Sequence, residues 1–126
     1  MEEKEFILAV SERTGLTRQV AADLTRATLE TLAHRLSAGE ARGLKNGLPE
    51  GLAESVRRGT TAHIERFGYE DTVRRVAERN MLNEEEADRG VRAVLTVLGD
   101  AIIETEFRHL MSQLGADFSK AARSAG

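Results

Sequence analysis

The chain has 126 residues, a formal net charge of -3 and 31% charged residues of both signs, which fits one domain or two very small ones with a well-solvated surface rather than a phosphate-seeking one. Cysteine and tryptophan are absent and aromatics make up only 4%. This excludes a disulfide framework and a thiolate zinc site, and disfavours aromatic platforms for bases or sugars.

Periodicity predicts helices along nearly the whole chain, in keeping with its Ala, Leu, Glu and Arg content. The opening MEEKEFILAV is acidic and its apolar run is short. It therefore lacks the basic start of a secretory signal. No apolar run reaches the roughly 20 residues of a membrane span, and a cytoplasmic protein is expected. The first helix is expected from Glu3 to Thr14, with Phe6, Ile7 and Val10 on one edge and Gly15 as its stop. Thr17 suits the N-cap of a long helix reaching about Leu36, whose inner stripe is Ala21, Leu24, Thr28, Leu32 and Leu36. A short helix over Glu40 to Lys45 and another opened by Pro49, carrying Leu52 and Val56, complete the first half. Residues 57–63, RRGTTAH, lack an apolar period and read as a linker. Helix is expected again from Glu70 to Arg79. Asn83 and Glu86 form a capping box for a helix with Ala87, Val91, Val94, Leu95, Leu98 and Ile102 inward. Thr105 is the expected cap of a last helix holding Phe107, Leu110, Met111 and Leu114, and the tail SKAARSAG should fray.

Shifting the chain by 66 residues matches it to itself without a gap. Val10 falls on Val76, Leu16 on Leu82, Ala21 on Ala87, Leu29 on Leu95, Leu32 on Leu98 and Leu48 on Leu114. The caps Thr17 and Asn83 coincide as well. The simplest reading is an all-α protein of tandem pseudo-symmetric repeats, each a helix, a long helix and a short helix, packed as one bundle. The expected boundaries are 1–56 for the first repeat, 57–69 for a linker, 70–118 for the second repeat and 119–126 for the frayed tail.

The stretches VSERTGLTRQVAADLTRATLETLAHRLSAGEARGL and VRRVAERNMLNEEEADRGVRAVLTVL resemble the bacterial and archaeal domain-of-unknown-function family 2267. That family's pattern is a V-A-E-R-x-G-L opening, an R-A-x-L-E-T-L-A-x-R-L helix, S-x-G-E-A-x-x-L and a Q-L-P turn. The resemblance covers nearly the whole chain. The sequence departs from the pattern at Gly47, where Gln is usual, at Gly115, where Pro is usual, and at Thr72, where the second copy usually has an aromatic. The resemblance implies a helical fold and brings no activity with it.

Chemistry-bearing patterns are few. Glu106 and His109 have the Glu-x-x-His spacing of carboxylate-bridged metal bundles. The matching positions of the first half are Glu40 and Gly43, so the second His is missing and a solvated helix face is the better reading. Glu30 and His34 lie one turn apart, which more often makes a surface pair than a ligand set. His63 sits in the linker without an evident partner. No nucleophile triad, Walker loop or dinucleotide turn occurs, so the expectation is no enzyme, no catalytic residue, no metal and no cofactor. Arg57, Arg58, Arg66, Arg74 and Arg75 make residues 57–75 locally basic, and weak nucleic-acid binding there is the alternative function. Charges at Glu12, Arg26 and Glu40 recur at Glu78, Arg92 and Glu106. Arg26 is expected to pair with Glu12 or Glu40, and Arg92 with Glu78 or Glu106, as structural ion pairs or as a groove used twice. The function expected is a non-enzymatic interaction or structural accessory module with an unidentified protein partner.

Overall fold

The computed structural model describes residues 1–123. Among them are eight helices and no strand: α1 (Glu3–Thr14), α2 (Arg18–Ala33), α3 (Ala38–Asn46), α4 (Glu50–Gly59), α5 (Tyr69–Asn80), α6 (Glu84–Ala101), α7 (Glu104–Leu114) and α8 (Ala116–Arg123).

Local chemistry sets the helix ends. The Thr17 hydroxyl accepts from the Val20 amide at 3.2 Å, and Ser37 accepts from the Glu40 amide at 3.2 Å. Asn83 and Glu86 exchange bonds of 2.8 and 3.1 Å, the capping box read from the sequence. Gly15 stops α1 in the left-handed conformation at φ 76°.

The two longest helices, α2 and α6, pack on each other and form the centre. α5 and α4 cover α2, α1 and α8 cover α6, and α3 and α7 meet at one end. The core stripes expected for α2 and α6 are buried as read, from Ala21, Leu24, Leu32 and Leu36 to Ala87, Val91, Val94 and Leu98. Close approach is permitted by two glycines. A Cβ on Gly90 would stand 2.2 Å from Leu24 Cδ1 where α2 crosses α6, and one on Gly59 would stand 2.0 Å from the Glu30 carbonyl oxygen where α4 crosses α2.

Several boundaries differ from the expectation. α4 runs through Arg57 and Arg58 to Gly59, so the non-helical connection spans only residues 60–68. Val56 and Gly59 face the core while the two arginines hold Glu54 on the solvent side, a helical arrangement that a search for apolar period overlooks. α2 stops at Ala33 rather than Leu36 because the Leu36 amide bonds Ala33 in a tighter turn and the Glu65 amide takes the His34 carbonyl at 2.9 Å. α7 begins at Glu104 with Ile103, not Thr105, at its cap position. The small polar stretch marked for fraying is helical through Arg123: Phe118 and Ala121 are buried, and Thr96 Oγ1 donates to the Ala122 carbonyl at 2.7 Å. Residues 124–126 of that stretch lie outside the described residues.

Candidate functional site

The repeated charges make different partners from those expected. Arg26 reaches Glu3 at the start of α1, 2.8 Å away, with Asp23 at 3.8 Å. Arg92 is held by Asp88 one turn back on α6, its Nε donating to both carboxylate oxygens at 3.0 Å. Asp88 also accepts the Tyr69 hydroxyl at 2.7 Å, and Arg92 lies 5.4 Å from the Tyr69 ring centroid. Burial and the Asp88 carboxylate push the Tyr69 phenol upward. Glu12 and Glu78 are exposed and take no part in either pairing. Arg26 is met by the first residue of α1, which packs on α2, and Arg92 by its i, i+4 neighbour on α6.

Glu40 and Glu106 meet each other instead of an arginine, where α3 touches α7. The Glu106 carboxylate lies over Gly43; a Cβ there would stand 2.2 Å from Glu106 Oε1. Glu40 Oε2 is out of water and receives no hydrogen bond. Burial first, and the Glu106 carboxylate second, push Glu40 up to about 7. Protonation of either carboxyl group would supply a donor at this contact.

Two surface grooves lie between α1 and α2 and between α5 and α6, helix pairs that the 66-residue shift sets on each other. The first, of about 460 Å³ between α1 and α2, is floored by Ile7, Leu8 and Ala22 and rimmed by Lys4, Arg18 and Arg26, with Glu5 capping the Glu2 amide at its edge. Leu8 is 36% exposed. Arg26 is occupied by Glu3, whereas neither Lys4 nor Arg18 forms an ion pair among the described residues. The second, of about 500 Å³ between α5 and α6, carries Glu70, Glu84, Glu85 and Asp88 with Arg74 and Arg92. Asp88 is committed to Arg92 and Arg74 to Asp71. Glu70, Glu84 and Glu85 are exposed and form no ion pair among the described residues. Sequence reasoning passed over both grooves. The signal was present in the self-match, because the 66-residue shift puts Lys4 on Glu70 and Arg18 on Glu84.

The remaining motifs come apart in space. The Glu30 carboxylate goes to Arg79 of α5 at 2.8 Å and not to His34. His34 Nδ1 is buried without a hydrogen bond. Glu106 is turned to Glu40, and among the described residues no group of three or more His, Asp or Glu could hold a metal. The arginines of 57–75 are divided among α4, the connection and α5. Arg57 pairs with Glu50 and Glu54, Arg58 with Glu54, and Arg74 with Asp71. Arg75 pairs with Glu65 and lies 3.9 Å from the Phe67 centroid. Arg35, which the sequence did not single out, ties four segments together. It donates to the Leu114 carbonyl at 2.6 Å and lies over Phe67 and Phe118. Burial, then the nearby Arg66, lower its pKa.

Among the described residues no helix is long and apolar enough to cross a membrane. The model of a family described as an uncharacterized conserved protein, DUF2267, matches residues 3–121, from the first residue of α1 to the buried Ala121 of α8. No curated protein matches the chain.

Proposed function

The chain belongs to the DUF2267 family, and on that premise we propose that it is a non-enzymatic, cytoplasmic protein-interaction module whose contact surface is the α1–α2 groove. One observation carries the reading: the groove sets exposed Leu8 and the Ile7 edge beside two cations, Lys4 and Arg18, that form no ion pair among the described residues. An apolar floor with unspent charge on its rim suits a protein surface that brings an aliphatic side chain and carboxylates together. The absence of cysteine supports a reducing compartment. Nucleic-acid binding through 57–75 is the weaker reading, because intramolecular carboxylates compete with phosphate for Arg57, Arg58, Arg74 and Arg75. The test is a photo-cross-linking residue at position 8 in the native host. Protein adducts are expected, and Lys4→Glu with Arg18→Glu should remove them. Adducts indifferent to that charge reversal, or adducts to nucleic acid alone, overturn the reading.

We also propose that the eight helices are two copies of a four-helix unit about a pseudo-two-fold axis. Helix starts at 3, 18, 38 and 50 are matched at 69, 84, 104 and 116. Corresponding helices touch each other, α2 with α6 and α3 with α7. Corresponding residues also touch, Leu24 with Gly90 and Glu40 with Glu106. Equivalent residues of two related units meet only along the axis that relates them.

A further inference from the structure

We propose that the α1–α2 groove of one copy of this chain binds the α5–α6 face of a second copy, head to tail. The inference rests on the α1–α2 groove being an interaction surface and names its occupant. The two grooves lie at the same place on corresponding helix pairs, yet their chemistry is inverted. Lys4 stands opposite Glu70 in the self-match, Arg18 opposite Glu84, Gln19 opposite Glu85 and Ala22 opposite Asp88. Among the described residues one groove therefore shows Lys4 and Arg18 without an ion pair, with one carboxylate, Glu5, turned to the Glu2 amide, while the other shows Glu70, Glu84 and Glu85 without an ion pair. Internal ion pairs remove Arg26, Arg92 and Asp88 from the comparison, which leaves the contrast of sign sharper than the lining alone suggests.

This pattern discriminates between modes of association. Basic groove on basic groove repels, and acidic on acidic repels, so a dimer that uses one groove twice is disfavoured. Basic on acidic attracts and fixes the orientation. Each copy keeps one groove of each sign, so the contact is heterologous and can propagate to short chains. The charges are exposed, so association is weak, reversible and sensitive to salt.

The test is sedimentation velocity on the full chain from about 10 μM to about 1 mM, a span that brackets weak protein contacts. The weight-average mass should rise toward about twice the monomer value or beyond at about 50 mM salt and fall back at about 500 mM, where the screening length is short. Lys4→Glu/Arg18→Glu makes both grooves acidic, and Glu84→Lys/Glu85→Lys makes both basic. Each variant alone should stay monomeric, and an equimolar mixture should associate again. All four positions are exposed, and circular-dichroism melts report that the variants fold. A wild-type chain monomeric throughout, or association that ignores both charge reversals, overturns the proposal. If the chain is monomeric and position 8 still cross-links a protein in a manner abolished by Lys4→Glu/Arg18→Glu, only self-association falls. If that cross-link is also absent, the interaction reading falls with it.

Discussion

Glu40 shows how one side chain can be poised by its surroundings. It is half-buried at the α3–α7 contact, and its partner is another carboxyl, Glu106. Its folded value, about 7, lies above the ordinary 4.5. The native state therefore holds more protons than the unfolded chain between those values. The stabilisation from this group is fully present below pH 4.5 and is lost as pH rises through about 7. Glu40→Gln keeps the hydrogen-bonding capacity and removes the charge. It should raise stability at pH 8 by about 1 kcal/mol after allowance for solvent screening, and by little at pH 5. Urea melts at the two pH values read this directly. A variant that loses stability at pH 8 would show that the two carboxyls do not repel. Arg35 is the opposite case, a cation that gives one donor to a carbonyl and its planar face to two rings while its buried Nε finds no partner. Its corresponding position in the second half is Ala101, so no internal match could have marked it.

At the scale of elements, the ends of α1 and α5 invite comparison. Gly15 closes α1 at φ 76°, and Met81 closes α5 at φ 56°. Met81 is the only non-glycine residue with positive φ among the described residues, and its side chain is 92% exposed. It gains almost nothing from packing and bears the steric cost of a Cβ in the left-handed region, about 1 kcal/mol. Met81→Gly should therefore stabilise the protein by up to about 1 kcal/mol, less the extra entropy of glycine in the unfolded chain. Thermal melts of the two proteins decide it, and a lower midpoint for the glycine variant would refute the strain argument. The helix interiors were legible because burial follows the 3.6-residue stripe. The breaks were less so. Residues 60–68 and the end of α2 are set by the Glu65 amide on the His34 carbonyl, a bond across 31 residues of chain that no local pattern encodes.

On the scale of the whole molecule, the centre is the crossing of α2 and α6, helices that the 66-residue shift sets on each other. At the proposed axis two equal large side chains would compete for one space. Here Leu24 fills the space that Gly90 vacates, with an added Cβ only 2.2 Å from Leu24 Cδ1. Gly90→Leu should overpack the crossing and cost about 1–3 kcal/mol. Leu24→Gly opens a cavity and should cost about 2–5 kcal/mol. The exchanged pair, Leu24→Gly with Gly90→Leu, should recover at least about 1 kcal/mol relative to the sum of the two single changes. Additive losses in urea melts would remove Leu24 and Gly90 from a common axis position. The proposed axis would also account for the grooves. It would place one helix pair on each flank, where the 66-residue shift sets Lys4 on Glu70 and Arg18 on Glu84.

The sequence by itself determined the helices, their buried stripes, the Thr17 and Asn83 caps and the family resemblance. All of these depend on residues within a turn or two of one another, or on a pattern repeated along the chain. Only the tertiary structure decided which charges pair, because Arg26, with carboxylates available on several neighbouring segments, takes the one that packing brings to 2.8 Å. It likewise decided that Glu40 meets Glu106 and that α8 is anchored through Phe118. The two grooves belong to both levels. Their inverted charges stand in the self-match, but only the packing of α1 on α2 and α5 on α6 turns those scattered residues into surfaces.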